Sequence, residues 1–192
     1  MNIEELNESC AKYDSLEKRG SFYDVALNLI DNGFEVEAYL LILSTWNVKE
    51  FKYAVKGFDL VGFREVMTEC KELLGGVDDK EFRDADFGKI SPIVEKVYDK
   101  LSSLKGIGYT GASKELHLMN TRLFVMWDKL IREEYGFKTG DSRDYVNFLK
   151  KMQDKFKGID WSGEKTFAKV IDEYNYVNIT LPVLEGRSKK VD

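Results

Sequence analysis

The segment Leu104-Lys105-Gly106-Ile107-Gly108 has the residue types of a hairpin that could hold a nucleic-acid backbone. Two glycines around one aliphatic residue permit a sharp turn and let a second backbone come close. A helix predicted to begin near Tyr109 would present backbone N–H groups that have no intrahelical acceptor and suit a phosphate. Ile107 would anchor the tip in the core. The simpler alternative is a helix–turn–helix connection with a glycine stop.

The run LKGIGYTGASKEL and the later run LFVMWDKLIR together resemble the hairpin-plus-aspartate motif of the helix-hairpin-helix DNA glycosylase superfamily. The two glycines of that motif fall on Gly106 and Gly108, and its catalytic aspartate falls on Asp128. The resemblance covers residues 34–137, of which only the hairpin and the aspartate are specific.

The resemblance implies a DNA-repair protein that binds double-stranded DNA and excises a damaged or mismatched base. Asp128 would stabilise the charge that develops at C1′, or activate a water, once the nucleotide has left the stack. As a structural alternative, Asp128 would cap the helix that follows it. No organic cofactor is implied, and the only metal would be a monovalent cation on the carbonyls of Leu104 and Ile107. The residues expected to hold the DNA backbone are Lys105, Gly106, Ile107, Gly108, Thr110 and Lys114.

Two departures from the motif narrow the chemistry. Thr110 stands where lyase-active members place a Schiff-base lysine, so the resemblance implies a monofunctional glycosylase or no chemistry. Lys114 lies one turn further along the same face, where a phosphate contact or plain solvent exposure is favoured over a role as a nucleophile. The cysteines of the iron–sulfur subgroup are missing, since Cys10 and Cys70 lie far apart in the sequence.

Two tryptophans near the motif have alternative roles. Trp127, directly before Asp128, could stack on a base, but a place in the core is favoured. Trp46 lies near the position of a polar wedge in several members of the superfamily. A wedge must be exposed, whereas the helix that carries Trp46 is predicted to be largely buried.

Helical periodicity recurs along the chain, which contains only two prolines. The patterns predict helices over Glu35–Trp46, Asp59–Leu74 and Lys165–Tyr174, with further starts at Ser91-Pro92 and Ser142. We therefore expect an all-α, glycosylase-like fold. Residues 34–137 would form the helix-hairpin-helix core, and residues 1–33 and 138–192 would pack beside it as a second small lobe.

The charge distribution bears on a polyanionic partner. The net charge of −5 argues against one, but residues 1–87 carry −9 and residues 88–138 carry +3, so a basic face around the hairpin is predicted. No apolar run is long enough to span a bilayer, and the polar, acidic N-terminus is unlike a secretory signal. A cytoplasmic location and no membrane partner are expected.

The sequence alone leaves three alternative functions for this protein. The first is a monofunctional DNA glycosylase that uses Asp128. The second is a catalytically inactive nucleic-acid-binding module of the same fold, and the third is a helical protein-interaction domain.

Overall fold

The computed structural model describes residues 2–16 and 20–188, and within these ranges every regular element is a helix. The all-α prediction is confirmed. The helices before the hairpin are α1 (Ile3–Leu16), α2 (Gly20–Asp31), α3 (Glu35–Trp46), α4 (Val48–Phe51), α5 (Leu60–Leu74) and α6 (Phe87–Ser103). Those after it are α7 (Gly108–Met119), α8 (Lys129–Glu134), α9 (Ser142–Lys155), α10 (Phe167–Asn175), a π-helical turn (Tyr176–Thr180) and α11 (Leu181–Ser188).

Local capping chemistry explains several of these boundaries. The Asp59 carboxylate accepts a hydrogen bond from the Gly62 amide at 3.0 Å and starts α5, and Asp141 caps α9 in the same way at 2.9 Å. The predicted bounds of α3 agree with the structure, and those of α5 differ by the cap residue alone.

The predicted start at Ser91-Pro92 is wrong, because α6 begins one turn earlier. The Asp86 carboxylate caps this helix by accepting hydrogen bonds from the amides of Gly88 and Lys89, at 3.0 and 3.2 Å. Pro92 has no N–H to donate to the Gly88 carbonyl, which would be its partner in a regular helix. The Ser91 hydroxyl donates to that carbonyl instead, at 3.1 Å. A serine–proline pair is thereby accommodated inside a helix.

Helix α6 lies at the centre of the core and packs against α5, α7 and α9. Its Tyr98 is fully buried and stacks on Tyr145, with ring centroids 4.7 Å apart. The Trp127 ring lies edge-on to both tyrosines and is 1% exposed, and its indole N–H donates to the Tyr98 hydroxyl at 3.2 Å. Trp127 is therefore a core residue.

A buried ionic cluster on α10 joins the two ends of the chain. The Lys169 ammonium lies 2.9 Å from the Asp172 carboxylate and 3.4 Å from that of Glu173. Burial opposes the charge of Lys169, but these carboxylates outweigh it and hold the pKa of the ammonium well above its usual range. The rings that surround the ammonium come from α1, α2 and α3, namely Tyr13, Tyr23 and Trp46. The ion pairs within α10 hold the ammonium in place, and its cation–π contacts attach α10 to the three N-terminal helices.

His117 is buried inside α7 and has a structural role. Its Nε2 lies 2.7 Å from the Tyr23 hydroxyl, and its Nδ1 lies 2.6 Å from the Phe124 carbonyl. Burial lowers the pKa of His117 to about 4, so the ring is neutral near pH 7. The neutral imidazole ties α7 to α2 and to the segment that leads to Trp127.

The two cysteines lie in the core of the fold. Cys10 and Cys70 are both buried and free, and burial raises the pKa of Cys70 to about 11, so its thiol keeps its proton. Throughout residues 2–16 and 20–188, no helix is both long and apolar enough to cross a membrane.

Glu115 is an unusual member of the core. Its side chain lies on α7 and is fully buried, and neither carboxyl oxygen has a hydrogen-bond partner among the described residues. Burial raises the pKa of Glu115 well above its ordinary value, so the neutral acid is the stable form in the fold.

We expect the contribution of Glu115 to stability to fall as the pH rises above about 4.5, because this carboxyl then ionises in the unfolded chain but stays protonated in the fold. Glu115→Gln should remove this loss, which amounts to at most about 1.4 kcal/mol per pH unit. Urea unfolding of both proteins across neutral pH measures the difference. Glu65→Gln, an exposed change on α5, is the control. A difference between wild type and Glu115→Gln that did not vary with pH would contradict the assignment.

Candidate nucleic-acid interface and the Asp128 site

The hairpin between α6 and α7 turns on its two glycines. Gly106 and Gly108 have φ values of 87° and 57°, in the left-handed region that favours glycine. Ile107 between them is fully buried, so it anchors the tip as the sequence predicts. The hairpin is therefore attached to the core at its apex.

Asn47, the residue that follows α3, is hydrogen-bonded to the apex of the hairpin. Its side chain is buried and donates to the carbonyls of Ile107 and Gly106, at 2.9 and 3.3 Å. The Ile107 carbonyl also accepts from the Gly111 amide at 3.1 Å. With two donors already on it, this carbonyl is poorly placed for the predicted monovalent cation. The Leu104 carbonyl accepts from the Ile107 amide, at 3.1 Å, and its role as a cation ligand stays a prediction.

The first amides of α7 are open to a ligand. Within the described chain, the N–H groups of Gly108, Tyr109 and Thr110 have no hydrogen-bond acceptor. Tyr109 is 42% exposed, Gly108 and Thr110 are partly exposed, and Lys105 lies on the surface beside them. Three free donors at the positive end of a 12-residue helix could donate hydrogen bonds to an anion such as a phosphate.

Lys114 is not where the sequence analysis places it. Its side chain is buried rather than exposed, and its ammonium donates to the Trp46 carbonyl at the end of α3. The face of α7 that carries Lys114 is covered by α3, which the position of Lys114 one turn after Thr110 does not reveal. In this conformation Lys114 cannot reach a phosphate at the hairpin. The Trp46 ring stacks on Tyr23 inside the molecule, with centroids 5.8 Å apart, and does not project as a wedge.

Asp128 begins α8 and is held through both of its oxygens. Its Oδ1 accepts from the Ile131 amide at 2.9 Å, which is a helix N-cap. Its Oδ2 accepts from the Thr180 hydroxyl at 2.7 Å, across to the π-helical turn. The carboxylate is half-buried and fixed in orientation.

A serine links Asp128 to the hairpin helix. The Ser113 hydroxyl donates to the Trp127 carbonyl at 3.1 Å and accepts from the Trp127 amide at 3.3 Å. The Thr110 carbonyl lies 2.9 Å from the same hydroxyl, so the two carbonyls share its single hydrogen. Trp127, the residue before Asp128, is thus hydrogen-bonded to the second turn of α7, one turn after the free amides. Helix α7 therefore connects the hairpin to the segment that carries Asp128.

Sequence reasoning missed three residues of this site, namely Asn47, Thr180 and Glu50. Asn47 and Thr180 are distant in sequence from the groups that they bind, and no local pattern marks either one. The Glu50 carboxyl lies at the start of α7, 3.7 Å from where a Cβ on Gly108 would stand. A carboxylate there faces the position that we expect a phosphate to occupy.

No protein-family model, curated protein or solved structure matches this chain. The contacts of the described residues are therefore the basis for any proposal of function.

Gly106→Ala should destabilise the protein more than Gly136→Ala. Both glycines have nearly the same φ, 87° and 88°, so alanine costs about 1 kcal/mol of backbone strain at either position. A Cβ on Gly106 would also lie 2.2 Å from that of Ala54, whereas one on Gly136 meets nothing within 4 Å. We expect about 1–3 kcal/mol of additional loss for Gly106→Ala. Equal unfolding free energies for the two variants, measured in urea, would show that Ala54 does not press on the hairpin.

Proposed function

We propose that the protein binds the backbone of double-stranded DNA through the hairpin of residues 104–110 and excises a damaged or mismatched base with the help of Asp128. The observation that carries the proposal is the row of free amides at Gly108, Tyr109 and Thr110, on a hairpin whose apex is anchored by Ile107. Because the donors are backbone groups of a fixed turn, little order is lost when a phosphate binds them.

The role proposed for the hairpin is to position the DNA. The amides of Gly108, Tyr109 and Thr110 would donate to phosphate oxygens, and Lys105 would add a screened positive charge beside them. Such contacts read no sequence, so they suit a protein that searches duplex DNA for a defect. They also predict an affinity that falls as salt rises, because bound phosphates release counterions.

The role proposed for Asp128 is electrostatic. A carboxylate held by the Ile131 amide and the Thr180 hydroxyl is preorganised, so it could stabilise positive charge at C1′ without reorganising during the reaction. It could also orient the water that takes the place of the departing base. Thr110 offers no amine, so the proposed reaction ends with hydrolysis of the glycosidic bond.

A panel of duplexes, each with one damaged or mismatched base, tests the proposal when release of the free base is measured. Wild type should excise at least one base, and Asp128→Asn should bind the same duplex with unchanged affinity but release the base at least about a hundredfold more slowly. Asparagine caps a helix nearly as well as aspartate, so this variant should fold normally.

Two results would separate the parts of this proposal. Salt-dependent DNA binding without excision of any base in the panel would remove the role of Asp128 and leave a binding module. The hydrogen bonds that both Asp128 oxygens already make are consistent with that second function, since they also serve a purely structural cap. Failure to bind DNA at low salt would overturn the proposal as a whole.

Glu50 supplies a further check on where the phosphate binds. Since its carboxylate lies beside Gly108, Glu50→Gln should remove repulsion and raise DNA affinity about threefold at low salt, with less effect at high salt. Glu4→Gln, which removes the same charge from the exposed side of α1, is the matched control. Equal effects of the two changes on the dissociation constant would show that only net charge matters and that phosphate does not approach the start of α7.

A further inference from the structure

The segment after Asn47 is an ordered pair of helical turns. The Phe51 amide donates to the Asn47 carbonyl at 3.0 Å, and the Lys52 amide donates to the Val48 carbonyl at 3.1 Å. The Val55 amide continues the pattern by donating to the Phe51 carbonyl, at 3.2 Å. The hydrogen bonds thus continue past the end of α4 at Phe51, through the turns that lead to Val55, so that residues 48–55 have two distinguishable sides.

One of these faces is buried and the other is not. Phe51 and Ala54 are 8% and 0% exposed. The opposite side carries lysines at helical spacing and an aromatic ring, and we call it the tyrosine–lysine face: Lys49, Lys52, Tyr53 and Lys56, all exposed. Tyr53 is 74% exposed, which is unusual for an aromatic side chain and has no explanation in the packing of the fold.

The buried side attaches this segment to the hairpin. Ala54 lies so close to Gly106 that a Cβ on the glycine would be 2.2 Å from that of Ala54, and the Phe51 Cα would be 3.5 Å away. Asn47, directly before the segment, binds the hairpin carbonyls. The tyrosine–lysine face thus lies on a segment that packs directly against the hairpin, on the side of the segment away from Gly106.

The chemistry of this face matches a nucleic-acid strand. Three lysines around one exposed ring offer charge to phosphates and a planar surface to a base, and the only acidic residue of the segment is Glu50. The Lys52 ammonium lies 4.8 Å from the centre of the Tyr53 ring, so positive charge and the aromatic surface are close together. A partner protein bound through apolar contacts would not need lysines spaced around the ring.

We propose that the tyrosine–lysine face binds an unpaired nucleotide, with the base stacked on Tyr53 and the neighbouring phosphates held by Lys49, Lys52 and Lys56. The preferred substrate is then DNA that carries an unpaired base beside the duplex held by the hairpin. This inference rests on the proposed function in that the hairpin and the face contact one DNA molecule.

The test compares the affinity of wild type and Tyr53→Ala for three labelled probes: an intact duplex, the same duplex with a single-base bulge, and a single strand. Wild type should bind the bulged duplex more tightly than the intact one. Tyr53→Ala should weaken binding of the bulged duplex and of the single strand about tenfold, and change binding of the intact duplex less than about twofold. Tyr53→Trp should keep the preference, because stacking needs only a ring. Val61→Ala, at an exposed apolar position of α5, is the control.

The salt dependence of binding tests the role of the lysines separately. Replacing Lys49, Lys52 and Lys56 with glutamine should lower the salt slope of single-strand binding by about two units, since each phosphate contact contributes about 0.7. Equal binding of the bulged and intact duplexes, or no effect of Tyr53→Ala on either, would overturn the inference while hairpin binding stands.

Two other outcomes separate this face from the hairpin and from a protein partner. Loss of single-strand binding in Tyr53→Ala, together with no binding of intact duplex by wild type, would support the face and overturn the hairpin proposal. Self-association that Tyr53→Ala abolishes without a change in DNA affinity would overturn the inference and assign the face to a second copy of the chain.

Discussion

The side-chain amide of Asn47 is the contact on which the candidate site depends. It lies at the junction of α3 and α4 and donates to two adjacent carbonyls of the hairpin, about 60 residues later in the chain. This contact joins the hairpin apex to the end of α3. The backbone carbonyl of the same residue accepts from the Phe51 amide in the first turn of α4. Each of the two hydrogen bonds from the buried Asn47 amide requires a carbonyl at a defined position, so together they favour a single conformation of the turn. Apolar packing around Ile107 is less directional.

Features of the site that depend on local chemistry could be predicted from the sequence. Glycines at 106 and 108 indicate a sharp turn because only glycine tolerates their backbone angles at little cost, and the structure has left-handed φ values at both. The aspartate at 128 indicates a helix start because its carboxylate can accept from the amide of residue 131. The apolar residues from Glu35 to Trp46 indicate a buried helix, and the predicted limits of α3 agree with the structure.

Features that depend on distant neighbours could not be predicted. The helical position of Lys114 places it on the same side as Thr110, but only the packed structure shows that α3 covers that side and takes up the ammonium. Thr180 reaches Asp128 across 52 residues, and the acids and rings around Lys169 come together from four helices. The helix start predicted at Ser91-Pro92 is wrong because Asp86, five residues earlier, caps α6 instead.

The π-helical turn at Tyr176–Thr180 has a consequence for how the end of this chain can vary. A π turn inserts one residue into the helical register, and each residue of a helix rotates the chain by about 100°. The hydroxyl of Thr180 meets Asp128 only in the longer register, so removal of one residue here would turn α11 and Thr180 away together. Point substitutions on the surface of α11 leave that register intact. Related chains should therefore conserve the length of this segment more strictly than its composition.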